Sequence, residues 1–130
     1  MTDTVTLTIP REPRFFGVAR LVVGGLAARL ELPYDALEDL QLALEGVLAN
    51  EAYAAGDEVT IALTLAGELV EIALGPVDGS QVRADLAADD EGIGLRRLLG
   101  TVVERAEVEE RDGADWVRLE KRITRGGVAA

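Results

Sequence analysis

Residues 4–9 alternate polar and apolar, with Val5, Leu7 and Ile9 on one side, a strand pattern that Pro10 ends. From Phe15 to about Leu30 the period becomes helical, and Val18, Leu21, Val22 and Leu26 share a side. Gly24 and Gly25 weaken that helix by roughly 1 kcal/mol each unless something packs closely there. Pro33 and Asp35 predict a second helix that runs to about Ala55 and stops at Gly56. Two β-rich runs, 58–65 and 68–74, flank Ala66-Gly67 and predict a hairpin. Residues 75–91 show no periodicity and carry Gly, Pro, Ser and several Asp, which predicts an irregular lid or binding loop. Gly92-Ile93-Gly94-Leu95 then opens a short helix, and strands at about 102–110 and 114–123 follow, joined by Asp112-Gly113. Residues 124–130 are predicted to be a flexible tail.

This order, strand, helix, helix, hairpin, loop, helix, hairpin, predicts one α+β domain spanning 1–130. Its architecture is a two-layer sandwich, a mixed and mostly antiparallel sheet covered on one face by helices. An apolar fraction of 48% with only 4% aromatics predicts a core of Leu, Val, Ile and Ala. The 130 residues include 13 Lys and Arg against 24 Asp and Glu, a net charge of −11, and neither His nor Cys. Disulfides, thiolate or imidazole metal sites, a Cys nucleophile and a Ser-His-Asp triad are therefore excluded. The negative charge argues against nucleic acid or an anionic membrane as partner, because both repel it. The run 18–30 is broken by Arg20 and Arg29, so no membrane span is predicted. The first residues, Met-Thr-Asp-Thr, do not read as a secretory leader, and the expected location is the cytoplasm.

Candidate chemistry sits in two places. Asn50 falls on the predicted second helix beside the apolar stripe of Leu40, Leu44, Val47 and Leu48, flanked by Ala43 and Gly46. There its carbonyl oxygen can face a hard cation such as magnesium, or make local hydrogen bonds near a helix end. Gly92-Ile93-Gly94-Leu95 places unpaired backbone N–H groups at a helix N-terminus, an anion-binding feature as well as an ordinary loop-to-helix turn. A hydrolase metal centre on Asp85, Asp89, Asp90 and Glu91 is set aside, because their spacing matches no ligand pattern and clustered loop carboxylates are usually solvated.

The helix ending Leu-Ala-Leu-Glu-Gly-Val-Leu-Ala-Asn, the hairpin, the long loop, Gly-Ile-Gly-Leu and the final Trp-Val-Arg-Leu-Glu-Lys-Arg strand together resemble one family. It is the Bergerat-fold, or histidine-kinase-like, ATPase superfamily, and within it the small bacterial anti-sigma-factor serine/threonine kinases. The resemblance covers about residues 4–123. It implies ATP and magnesium as cofactors, with Asn50 as the metal ligand and Gly75, Gly92, Gly94 and Leu95 around the nucleotide. It also implies a general-base glutamate at the position of Gly46 and an adenine-binding aspartate at that of Ala73, the residue two before Gly75-Pro76. Neither carboxylate is present, and Val77 replaces a glycine of the second motif. Glu45 is predicted to lie about 140° around the helix from Asn50 and cannot serve. Asp78 is a displaced candidate for the adenine contact.

Two functions follow. In one, the chain is an anti-sigma-factor-kinase-like regulator of a partner-switching system, degenerate, with weak or no ATP binding and no catalytic residue. In the other, it is an active ATP-magnesium kinase that phosphorylates an anti-anti-sigma factor. The resemblance implies a sigma factor or anti-anti-sigma factor as partner, a homodimer, and the first helix and first strand as the contact surface.

Overall fold

A computed structural model describes residues 2–88 and 94–123. Strand β1 (Thr2–Pro10) leads to helices α1 (Pro13–Arg29) and α2 (Tyr34–Leu48), then a one-turn 3-10 helix, Glu51–Tyr53. The hairpin β2 (Glu58–Ala66) and β3 (Leu69–Gly75) follows, then α3 (Gly79–Ala87) and α4 (Leu95–Val102), and the closing hairpin β4 (Arg105–Arg111) and β5 (Ala114–Arg122). The strands form one sheet in the order β1-β2-β3-β5-β4, and every pairing is antiparallel rather than mixed.

Alternation decides which side of each strand is buried. Ile9, Val59, Ile61, Leu63, Val70, Ile72, Leu74, Val117 and Leu119 line one sheet face and join the core. The helices supply the other half: Ala19 and Val23 from α1, Leu40, Leu44, Val47 and Leu48 from α2, and Leu95, Leu99 and Val102 from α4. Burying such branched side chains contributes about 1.5–3 kcal/mol each, which is what holds the two layers together. The opposite sheet face is polar. It carries the Thr4–Thr64 and Thr8–Thr60 hydroxyl pairs and an ion network centred on Arg118.

Three expectations are corrected. The second helix ends at Leu48, not at Ala55, so Asn50 is not on it. The Arg11 guanidinium reaches over from the end of β1 and donates through Nη2 to the carbonyls of Leu48 (3.3 Å) and Asn50 (3.4 Å). It thereby takes carbonyls that a continuing helix would have paired with its own amides. The stretch 75–91 is not irregular throughout, because α3 occupies Gly79–Ala87, capped by the Asp78 side chain accepting from Gln81 N at 3.1 Å. The sheet has no parallel pair among the described residues. The tail predicted for 124–130 lies outside the described residues.

Candidate functional site

Asn50 caps the 3-10 turn. Its side-chain oxygen accepts from Ala52 N at 2.9 Å and its carbonyl accepts from Tyr53 N at 3.0 Å. The turn drops Tyr53 into the interior, where it is 1% exposed. Its hydroxyl donates to Asp85 of α3 at 2.5 Å, and Gln81 donates to the other Asp85 oxygen at 3.0 Å. Burial first, then the neighbouring Asp85, pushes the Tyr53 hydroxyl well above its ordinary pKa, while the Asn50 side chain acts in the opposite sense. Backbone contacts zip the same two segments together: Asp78 N donates to Tyr53 O at 2.9 Å, and Ala54 bridges to Val77. Tyr53 and Gln81 were not singled out from the sequence, and Asp85 entered there only in the carboxylate cluster that was set aside as a metal centre. The available signal was the Asp78-x-x-Gln81 spacing, a helix-start pattern in a stretch otherwise poor in periodicity.

The remaining candidates fall in different surroundings. Gly46 lies mid-helix on α2, and a Cβ added there would sit 2.6 Å from Leu98 Cδ2 of α4. Glu45 is turned toward α1 and forms an ion pair with Arg20. Ala73 is 1% exposed, but alternation with Ile72 and Leu74 puts it on the polar sheet face, opposite Arg118 in the register and away from α2. A carboxylate at 73 would therefore not share a face with Asn50. Gly75 closes β3 against Trp116, whose ring comes within 2.6 Å of where a Cβ would stand. Val77 is buried in the core, 4% exposed. Asp78 is engaged as the α3 cap.

Gly94 caps α4 with extended backbone, and among the described residues nothing lies within 4 Å of where its Cβ would stand and no side chain caps the first N–H groups of that helix. Leu95 is buried in the core. Gly92, together with Asp89, Asp90 and Glu91, lies outside the described residues. Among the described residues no group of three or more carboxylates is placed to hold a metal. None of their helices is long and apolar enough to cross a membrane. The structure thus joins Asn50 to Tyr53, Asp85 and the α3 cap, and Gly46 to α4, while Gly75 and Ala73 belong to the far side of the sheet.

Comparison with known proteins places this architecture. The serine-protein kinase RsbW of Halalkalibacterium halodurans is 32% identical over 130 aligned positions, taking in 85% of this chain and 78% of that protein. The chain belongs to the RsbW serine-protein kinase family. The family's Listeria monocytogenes serine-protein kinase RsbW is 36% identical over 50 residues, 38% of this chain and 32% of that one. The solved RsbU and RsbW domains of a Mycobacterium tuberculosis protein superpose with a TM-score of 0.68 at 16% identity. That match covers 95% of this chain and 33% of the solved one, and it shows the fold. No family model matches the chain. Membership places the chain among the histidine-kinase-like ATPases, as the motif order implied.

Proposed function

We propose that this chain is an anti-sigma-factor-kinase-like regulator that works by binding proteins and holds ATP weakly or not at all. The observation that carries the reading is the Gly46–Leu98 contact. The position where the family resemblance calls for a glutamate has no side chain, and an apolar residue of α4 rests on it. The residues present fit magnesium and ATP poorly. Gly46 and Ala73 bring no carboxylate, Val77 is buried, and Ala73 faces away from α2, while Asn50 Oδ1, which accepts from Ala52 N, keeps a second lone pair. Losing one charge-assisted adenine contact alone costs about 1.5–3 kcal/mol, or one to two decades of affinity.

Protein binding is supported by what α1 leaves uncovered. Leu21 is 76% exposed and Val18 39%, while Gly17 and Gly25 offer open surface. A neighbouring chain can approach such a stripe closely, and exposed large apolar side chains in a group mark contact surfaces. A sigma factor or anti-anti-sigma factor is the partner this reading assigns, with a second copy of the chain as a further occupant and the cytoplasm as the compartment. An active kinase remains the second reading. It is favoured by the family itself, by the retained Asn50 and by the N-terminus of α4 at Gly94, which no side chain caps among the described residues.

Titration with ATP and magnesium, followed by calorimetry, separates the two. The proposed reading expects no saturation up to about 1 mM nucleotide, an affinity of only about −4 kcal/mol. Saturable micromolar binding overturns it in favour of the kinase.

A further inference from the structure

We infer that Gly46 and Leu98 form a seat and plug that hold α4 closed against α2. The inference rests on the reading of a degenerate nucleotide site and assigns the device that closes it. A glycine in the interior of a helix costs about 1 kcal/mol relative to alanine, so it needs a reason. Backbone conformation is not that reason at Gly46, because its φ is not among the positive values. Packing is. A Cβ there would lie 2.6 Å from Leu98 Cδ2, closer than real Cβ atoms stand, and 3.8 Å from Leu98 Cγ, an ordinary contact. Gly75 at the end of β3 and Gly79 at the start of α3 are also closely covered, but among the glycines of α1, α2 and α4 only Gly46 is: Gly17, Gly25 and Gly100 meet nothing described within 4 Å and Gly24 meets Gln41 Nε2 at 3.9 Å.

Helix α4 depends on such contacts. It is 8 residues long, its Gly94 cap makes no side-chain hydrogen bond and its first turn has no acidic residue. Isolated helices of that length are not stable in water, so side-chain docking sets its position. Leu95, Leu99 and Val102 dock into the core, and Leu98 docks onto the bare backbone of α2 at Gly46. The closed arrangement therefore occupies the space that a glutamate side chain at 46 would enter. Restoring a carboxylate there without moving Leu98 cannot rebuild the site.

Hydrogen exchange of the full chain tests the seat directly. Gly46→Ala should raise α2 helix propensity and yet speed exchange of the α4 amides by about fivefold or more, with the sheet amides unchanged. Leu98→Ala should loosen α4 to a similar extent, and adding Gly46→Ala to Leu98→Ala should loosen it no further, because both act on one contact. If Gly46→Ala leaves α4 protection unchanged or higher, Leu98 simply rotates away and the seat is overturned. Additive loosening in the double variant overturns it equally. Titration of the unmodified chain with ATP and magnesium reports separately on the functional reading. Tight binding there defeats that reading, whatever the exchange shows.

Discussion

Tyr53 carries the most heavily constrained polar contact near Asn50. Its hydroxyl is buried, and its partner is a carboxylate that Gln81 also holds. Removing the hydroxyl leaves Asp85 with Gln81 as its remaining side-chain partner among the described contacts. Tyr53→Phe should cost about 1.5–3 kcal/mol at pH 7, read from urea unfolding. The pH dependence has a definite sign. The folded pKa of Tyr53 is raised above the ordinary value near 10, so its contribution is intact below pH 10 and is lost as pH rises from there toward the folded value. Unfolding curves at pH 9 and 11 should show the native chain losing stability across that window, and Tyr53→Phe losing less. A loss of equal size in both proteins would place the titrating group elsewhere.

At the scale of elements, β2 was legible because alternation and burial coincide, whereas β4, which has no buried alternation, was expected from about 102 and begins at Arg105, after Val102 closes α4. Val59, Ile61, Leu63 and Leu65 are buried where the sequence alternates, and the Gly67 and Gly113 turns sit at positive φ, as hairpins there require. The end of α2 was not legible. Ala49 to Ala55 is compatible with helix in composition, and the terminator is Arg11, 37 residues away from the carbonyl it takes. Helix α3 was missed for a different reason. Only Val82 and Leu86 of its nine residues are large and apolar, and one contact face of that size leaves no period to read. The site shared both faults. Asn50 was found as a residue but placed on the wrong element, and Asp85, which anchors the neighbouring Tyr53, sits on the helix that was missed.

The glycines of α1 offer a test at the same scale. Gly25 has helical backbone with nothing within 4 Å of a Cβ, so Gly25→Ala should stabilise the chain by about 0.5–1 kcal/mol in urea unfolding. The same substitution adds a methyl to the exposed stripe of α1. If that stripe docks a partner at close range, affinity for the partner should fall while stability rises.

At the scale of the whole molecule, charge is distributed unevenly. With a net charge of −11, self-repulsion opposes compaction, yet the polar sheet face concentrates carboxylates around few cations. Arg118 reaches Glu120 at 2.6 Å, Glu71 at 3.1 Å and Glu107 at 3.2 Å, and Arg111 reaches Glu109 at 2.6 Å and Glu71 at 3.2 Å. Burial works to lower the Arg118 pKa, but Glu71, Glu120 and Glu109 outweigh it and the net shift is upward, so this cation is favoured in place. Arg118→Met keeps most of the side-chain volume and removes the cation shared by Glu71, Glu107 and Glu120, leaving Glu71 with Arg111 and Glu120 with Arg105. The network is partly exposed, so the cost should be about 1–2 kcal/mol at low salt rather than the larger penalty of a fully buried pair. Screening then discriminates the cause, since the Debye length shrinks from about 10 Å at 0.1 M to about 3 Å at 1 M salt. Urea midpoints measured at both salt concentrations should converge for the native chain and Arg118→Met as salt rises. A gap that persists at 1 M would mean that Arg118 acts through the short-range hydrogen bonds and packing of its guanidinium, which methionine lacks, and that its screened charge is incidental.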